Sequence, residues 1–137
     1  MLTPDEVYAV KETYKLAEQK INDLAITFYG HLFECAPESR KLFADTDMAE
    51  QGKKLFRTIA VLASHADSLD SIKPELEYLG KRHVGYGVRV ADYDIVGEAL
   101  IWTFQQELGD AFTVAAGEAW QKLYGEAIKF IIAGHRA

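Results

Sequence analysis

The sequence predicts an all-α fold, and three observations carry that expectation. Apolar residues recur at three- and four-residue spacing through almost every segment of the chain. Nowhere do apolar and polar residues alternate over the length of a strand between convincing turn signals. Where the helical spacing breaks, residues that start or stop helices stand at the breaks: Pro4, Pro37, Pro74, Gly85, Gly87 and Gly109. At 137 residues, 49% of them hydrophobic, the chain is long enough for one domain over 1–137. A domain of that size buries roughly two-thirds of its unfolded surface.

The first helix opens at Thr3, whose hydroxyl can cap, with Pro4 in the first helical position and Glu6 completing a capping box. Val7, Val10 and Tyr14 follow on one face. A second helix is expected from about Ile21, with Leu24, Ala25, Phe28, Tyr29, Leu32 and Phe33 on a broad apolar face, and Pro37 ends it. The short segment ESRKLF then leads to Phe43 and a polar corner, ADTD. Met48, Gln51, Leu55, Ile59 and Leu62 mark a third helix that fades in the polar stretch HADSLDS. Ile72, Leu76, Leu79 and His83 share the next stripe, which the GYG of residues 85–87 stops. Asp92 is expected to cap a helix bearing Tyr93, Val96, Leu100, Phe104 and Leu108, closed by Gly109. Thr113 begins the last, with Ala116, Trp120, Leu123, Ala127 and Ile131 inward. There is no repeat, low-complexity tract or linker.

Fifteen basic residues against 21 acidic ones leave a net charge of −6. That balance disfavours nucleic acid or an anionic membrane surface as a partner. Cys35 stands alone, which excludes an intrachain disulfide, a cysteine-based zinc site and a CxxCH haem attachment. No apolar run approaches the ~20 residues of a membrane span, and MLTPDEVYAV lacks the basic and apolar regions of a signal peptide. A cytoplasmic protein is expected.

Four histidines are the strong neutral nitrogen ligands available. His31 and His65 lie on helix flanks, and His135 is near the chain end, where fraying is expected. His83 is different, because its register with Ile72, Leu76 and Leu79 turns it inward at a helix end. Such a histidine serves as a hydrogen-bonded core or capping residue, or as a ligand. Phe28, Tyr29, Phe33, Phe43, Leu55, Val88, Tyr93 and Val96 supply more flat and branched apolar surface than helix packing needs. They suit a core, and equally a pocket in which a neutral imidazole faces an iron porphyrin.

Five blocks carry a resemblance to a known family. TFYGHLF at 27–33, followed after Pro37 by RKLF at 40–43, resembles the second-to-third helix region of bacterial single-domain haemoglobins. KRHVGYGV at 81–88, YDIVGEAL at 93–100 and AWQKLYG at 119–125 match later blocks in the same order. The chain is most similar to Vitreoscilla-type haemoglobins and the globin domain of flavohaemoglobins. The resemblance implies a globin fold around non-covalent haem b (iron protoporphyrin IX). It makes His83 the proximal iron ligand, Phe43 the aromatic residue on the haem face and Tyr93 the proximal-side tyrosine. Tyr29 becomes the distal tyrosine, Gln51 takes the place of a distal histidine, and Leu55 packs over the gas. Lys54 and Arg82 stand where basic side chains approach the propionates, and Phe28, Leu79, Val88 and Val96 line the pocket. One position departs from the pattern: His135 stands where the family carries a glutamate bonded to the proximal tyrosine and histidine. A carboxylate there pushes electron density onto the ligand imidazole, and a neutral histidine does so much less.

Gln51 and Leu55 are one turn, roughly 6 Å, apart on one helix face. Tyr29 offers an O–H and Gln51 an amide N–H, neither adding charge to the pocket. Bound dioxygen carries partial negative charge, and a hydrogen bond to a charged acceptor is worth ~1.5–3 kcal/mol. The expected function is reversible binding of dioxygen, for storage or delivery, at a five-coordinate iron, with NO and CO as further ligands. Nitric oxide dioxygenase activity with a separate reductase is the enzymatic alternative, and gas sensing a third. A monomer and a homodimer both fit the sequence.

Overall fold

The computed structural model describes residues 1–137 and contains six α-helices and no strand. They are α1 (Pro4–Ala17), α2 (Ile21–Cys35), α3 (Met48–Ser64), α4 (Lys73–Gly85), α5 (Val90–Leu108) and α6 (Val114–Arg136), with short 3-10 turns between several of them. The capping box at Thr3 forms as expected: Thr3 Oγ1 accepts from the Glu6 backbone N–H at 3.2 Å, and Glu6 Oε1 from that of Thr3 at 2.8 Å. Asp47 caps α3 and Thr113 caps α6, in each case by satisfying first-turn N–H groups that have no helical partner. Gly109 closes α5 at φ +55°, a conformation that a Cβ disfavours.

Three local expectations are corrected. Asp92 does not cap α5, which begins two residues earlier at Val90. It sits in the first turn instead, where its carboxylate accepts from the Arg89 backbone N–H at 2.8 Å and from the Arg89 guanidinium at 2.9 Å. The stretch read as a polar break contains a 3-10 turn, Leu69–Ile72, because Leu69 and Ile72 are both buried. The C-terminal turn holds its helical form as far as Arg136, so His135 is not frayed.

The core is one contiguous cluster of 27 buried hydrophobic residues. At its centre Trp120, Phe28, Phe56, Phe104, Leu24, Leu100 and Leu123 are almost completely enclosed. Each contributes on the order of 1.5–3 kcal/mol by leaving water. α2 packs across α5 and α3, while α6 packs along α4, α1 and α5. α3 and α4 touch each other only marginally. Their facing sides therefore border a cleft, with α3 as one wall and α4 as the other.

Candidate functional site

The α4 wall is built around His83. His83 Nδ1 lies 2.6 Å from the carbonyl oxygen of Leu79, one turn back on the same helix. A carbonyl can only accept, so Nδ1 carries the proton and the lone pair resides on Nε2. Nε2 has no hydrogen-bond partner within the protein. Burial pushes the His83 pKa below its ordinary value, against the pull of the Leu79 carbonyl and with help from Arg82 and His135. The result is a neutral imidazole of fixed tautomer with one free nitrogen. Gly87, at φ +87°, then turns the chain sharply, and the Val88 N–H returns to the His83 carbonyl at 3.1 Å.

Tyr93 lies beside this imidazole, with 6.1 Å between ring centroids. Its hydroxyl and His135 Nδ1 are hydrogen-bonded at 3.0 Å, and its carbonyl accepts from the Tyr124 hydroxyl at 2.6 Å. Burial, with Asp92 nearby, raises the Tyr93 pKa, so the phenol stays neutral. The structure thus brings His83, Tyr93 and His135 into one row from α4 through α5 to α6. His135 occupies the place that the resemblance assigns to a glutamate.

Tyr29 anchors a second group of residues. It is buried and surrounded by rings: Phe28 edge-on at 4.9 Å, Phe43 edge-on at 5.4 Å and Phe33 tilted at 6.0 Å. Burial raises the hydroxyl's pKa, and the Gln51 side chain pulls it the other way. α2, which carries Tyr29, and α3, which carries Gln51, approach closely. A Cβ on Gly52 would stand only 2.6 Å from that of Ala25, so the helices meet at a position with no side chain, one residue after Gln51.

The remaining expected residues fall around these two centres. Leu55, Leu79, Val88, Val96 and Phe43 are half-buried, each packed against the core with part of its surface free. Phe28 is enclosed behind Tyr29. Lys54 and Arg82 are exposed, and the Arg82 guanidinium lies over the Tyr78 ring at 5.5 Å. His31 and His65 are engaged elsewhere: the first stacks on Trp102 at 3.7 Å, and the second bonds the Val61 carbonyl at 2.9 Å. The sequence reading missed Gly52, Gly80 and Gly134, whose roles depend on which helix lies opposite.

The residues present fit a haem. Between α3 and α4 a cavity of about 420 Å³ is lined by Thr58 and Val61 on one side and by Leu76, Leu79 and Arg82 on the other; of the expected pocket residues only Leu79 and Arg82 border it, and His83, one residue beyond Arg82, does not. No three His, Cys, Asp or Glu side chains come together to hold a bare ion. A porphyrin iron needs only one protein nitrogen, since the macrocycle supplies four. His83 offers that nitrogen, and the apolar residues offer a surface for the ring.

Comparison with known proteins gives a consistent result. The globin family model matches residues 26–131. A flavohemoprotein of Vibrio cholerae is 32% identical over 126 residues, covering 90% of this chain and 32% of that protein. One from Bordetella parapertussis is 31% identical over 139 residues, covering 100% and 35% respectively. The chain therefore spans about a third of the length of these curated relatives. The structure of a bacterial globin from Campylobacter jejuni is similar at a TM-score of 0.85 and 26% identity, over 98% of this chain and 96% of that one. A hexacoordinated heme protein from an anhydrobiotic tardigrade has a TM-score of 0.88 at 17% identity, covering 99% and 96%, a likeness of fold alone.

Proposed function

Because this chain belongs to the globin family, we propose that it is a haem protein that binds dioxygen reversibly, for storage or delivery. The observation that carries this reading is His83, a neutral imidazole whose Nε2 is left unpartnered, its tautomer fixed by the Leu79 carbonyl. Non-covalent haem b held there would supply an iron able to bind a diatomic gas.

The chain's own residues do the rest. His83 gives the single protein ligand. Leu79, Val88 and Val96 give the ring apolar contact, and Phe43 gives it an aromatic one. Lys54 and Arg82, both exposed, would pair with the propionate carboxylates. On the distal side Tyr29 and Gln51 donate hydrogen bonds to the gas. Burial keeps the Tyr29 hydroxyl protonated, so it remains a donor across the physiological range. Leu55, one turn beyond Gln51, limits water at the same place.

Reversible binding is favoured over turnover by the residue behind Tyr93. His135, not a carboxylate, contacts its hydroxyl, and an imidazole pushes less electron density toward His83 than a carboxylate anion does. A cytoplasmic location and a separate reductase that keeps the iron ferrous belong to the same reading. Stopped-flow mixing of the oxygenated protein with NO, with and without a reductase, tests it. Oxygen uptake and release over many cycles with no sustained NO consumption is expected. Sustained conversion of NO when the reductase is present would reassign the protein as a nitric oxide dioxygenase.

A further inference from the structure

We propose that Gly80 and Gly134 are positioning residues for His83. Together they form a side-chain-free crossing of α4 and α6 that sets where His83 stands in the cleft.

The most extensive helix–helix contact in the molecule is between α4 and α6, and at its centre the two backbones touch. A Cβ on Gly80 would overlap the Ile131 carbonyl oxygen and lie 2.8 Å from the His135 nitrogen. A Cβ on Gly134 would overlap the Glu77 carbonyl oxygen and lie 2.7 Å from the Glu77 Cα. The contact is thus reciprocal, each glycine facing the other helix's main chain. Backbone atoms cannot rotate aside as a side-chain end can, so any larger residue must part the helices by roughly 1 Å to restore ordinary contact distances.

Gly80 precedes His83 by three residues, about 4.5 Å along the helix. Any displacement of α4 at the crossing therefore reaches the His83 imidazole one turn later. The Leu79 carbonyl that fixes the tautomer of His83 is the residue next to Gly80, so it moves as well. α6 also carries His135, next to Gly134, and Tyr124, which tie down Tyr93 beside His83. A Cβ on Gly97 would come within 2.6 Å of the Tyr124 ring, so α5 meets α6 closely too. Both helices that flank the ligand are indexed against α6. The space left for α4 to move into is the cleft itself, where α3 does not pack against it. Parting the crossing changes the width of the cleft and the reach of Nε2.

The inference rests on the haem reading above, and its test separates the two. Gly80→Ala, Gly134→Ala, Tyr93→Phe and the control Gly125→Ala are prepared with haem. Gly125 lies on α6 with open space where a Cβ would go. Haem release to a scavenging apoprotein is timed, and the iron–histidine stretching band of the gas-free ferrous protein is recorded by resonance Raman. Both crossing variants are expected to release haem at least ten-fold faster and to show a shifted or broadened band, while Gly125→Ala matches the parent. Tyr93→Phe, which keeps the crossing and removes only the hydroxyl, is expected to move the band less than either glycine variant. Should the glycine variants fail to fold, Tyr93→Phe decides: a band close to the parent's is expected, and a large shift assigns the positioning to the hydroxyl and overturns the proposal. Unchanged release and band position in folded Gly80→Ala and Gly134→Ala also overturn it. A parent protein that takes up no haem instead defeats the functional reading itself.

Discussion

Burial keeps the Tyr29 hydroxyl protonated and the ring cluster holds it in place, so Tyr29→Phe removes one donor and little else. Dioxygen accepts that hydrogen bond far better than carbon monoxide does. Oxygen release is expected to quicken roughly 10-fold, the equivalent of ~1.4 kcal/mol, with carbon monoxide release almost unchanged. Ligand-replacement kinetics measure both, and unchanged oxygen release would mean that Gln51 carries the distal side alone. His83 yields a pH prediction. Its pKa in the folded chain is depressed below the ordinary ~6.5, so as pH falls the unfolded chain takes up the proton first. The haem-free protein keeps this part of its stability above about pH 6.5 and loses it as the pH drops toward the lower folded value. Urea melts at pH 7.5 and 5.5 should show a smaller acid loss in His83→Gln, and an equal loss would place the sensitivity elsewhere. The inward direction of His83 was legible from its register with Leu76 and Leu79, since one helical face is a property of spacing alone. Its bond to the Leu79 carbonyl, which makes Nε2 the free nitrogen, needs χ angles that spacing does not contain. The contact of His135 with Tyr93 joins residues 42 apart, and only the packed helices bring them together.

Helix starts were legible at Thr3 and Thr113, short polar residues that hold first-turn N–H groups, whereas Asp47, which caps α3 in the same way, was legible only as part of a polar corner. At α5 the same rule pointed to Asp92, yet the helix begins at Val90 because Asp92 accepts backward from Arg89. That arrangement uses the carboxylate at the third helical position, where it also lies near the positive end of the helix dipole. The Arg89 guanidinium and backbone hold the Asp92 carboxyl below its usual range, outweighing the opposite effect of burial. Asp92→Ala should cost about 1 kcal/mol and lower the melting temperature by roughly 3–5 °C. Differential scanning calorimetry tests this, and no change would mean that α5 is fixed by packing alone. Glycines inside helices were the least legible feature of the chain. Local propensity treats Gly52, Gly80 and Gly134 as weak points costing ~1 kcal/mol each against alanine. What they permit is close approach by another helix, and a single helix's pattern does not say which neighbour will arrive.

At the scale of the whole molecule, α3 and α4 meet only marginally, while α6 holds α4 and α2 holds α3. The two walls thus bear different equipment: a neutral imidazole on α4, and Gln51, with Tyr29 beside it, on α3. No histidine of α3 faces His83, because His65 ends that helix with its Nδ1 on the Val61 carbonyl. Gas-free ferrous protein should therefore be five-coordinate and high-spin, and a six-coordinate low-spin resonance Raman spectrum would show that α3 unwinds to bring in a second ligand. The fold class and most helix boundaries followed from periodicity, whereas the cleft followed from which helices meet only marginally, a relation between distant segments. The central claim is that His83 holds one haem in that cleft, and haem titration of the apoprotein, read at the Soret band, tests it most directly. The account predicts saturation at one haem per chain for the parent, loss of that binding in His83→Gly, and its recovery when imidazole fills the vacated space. Equal haem uptake by His83→Gly without imidazole would contradict it.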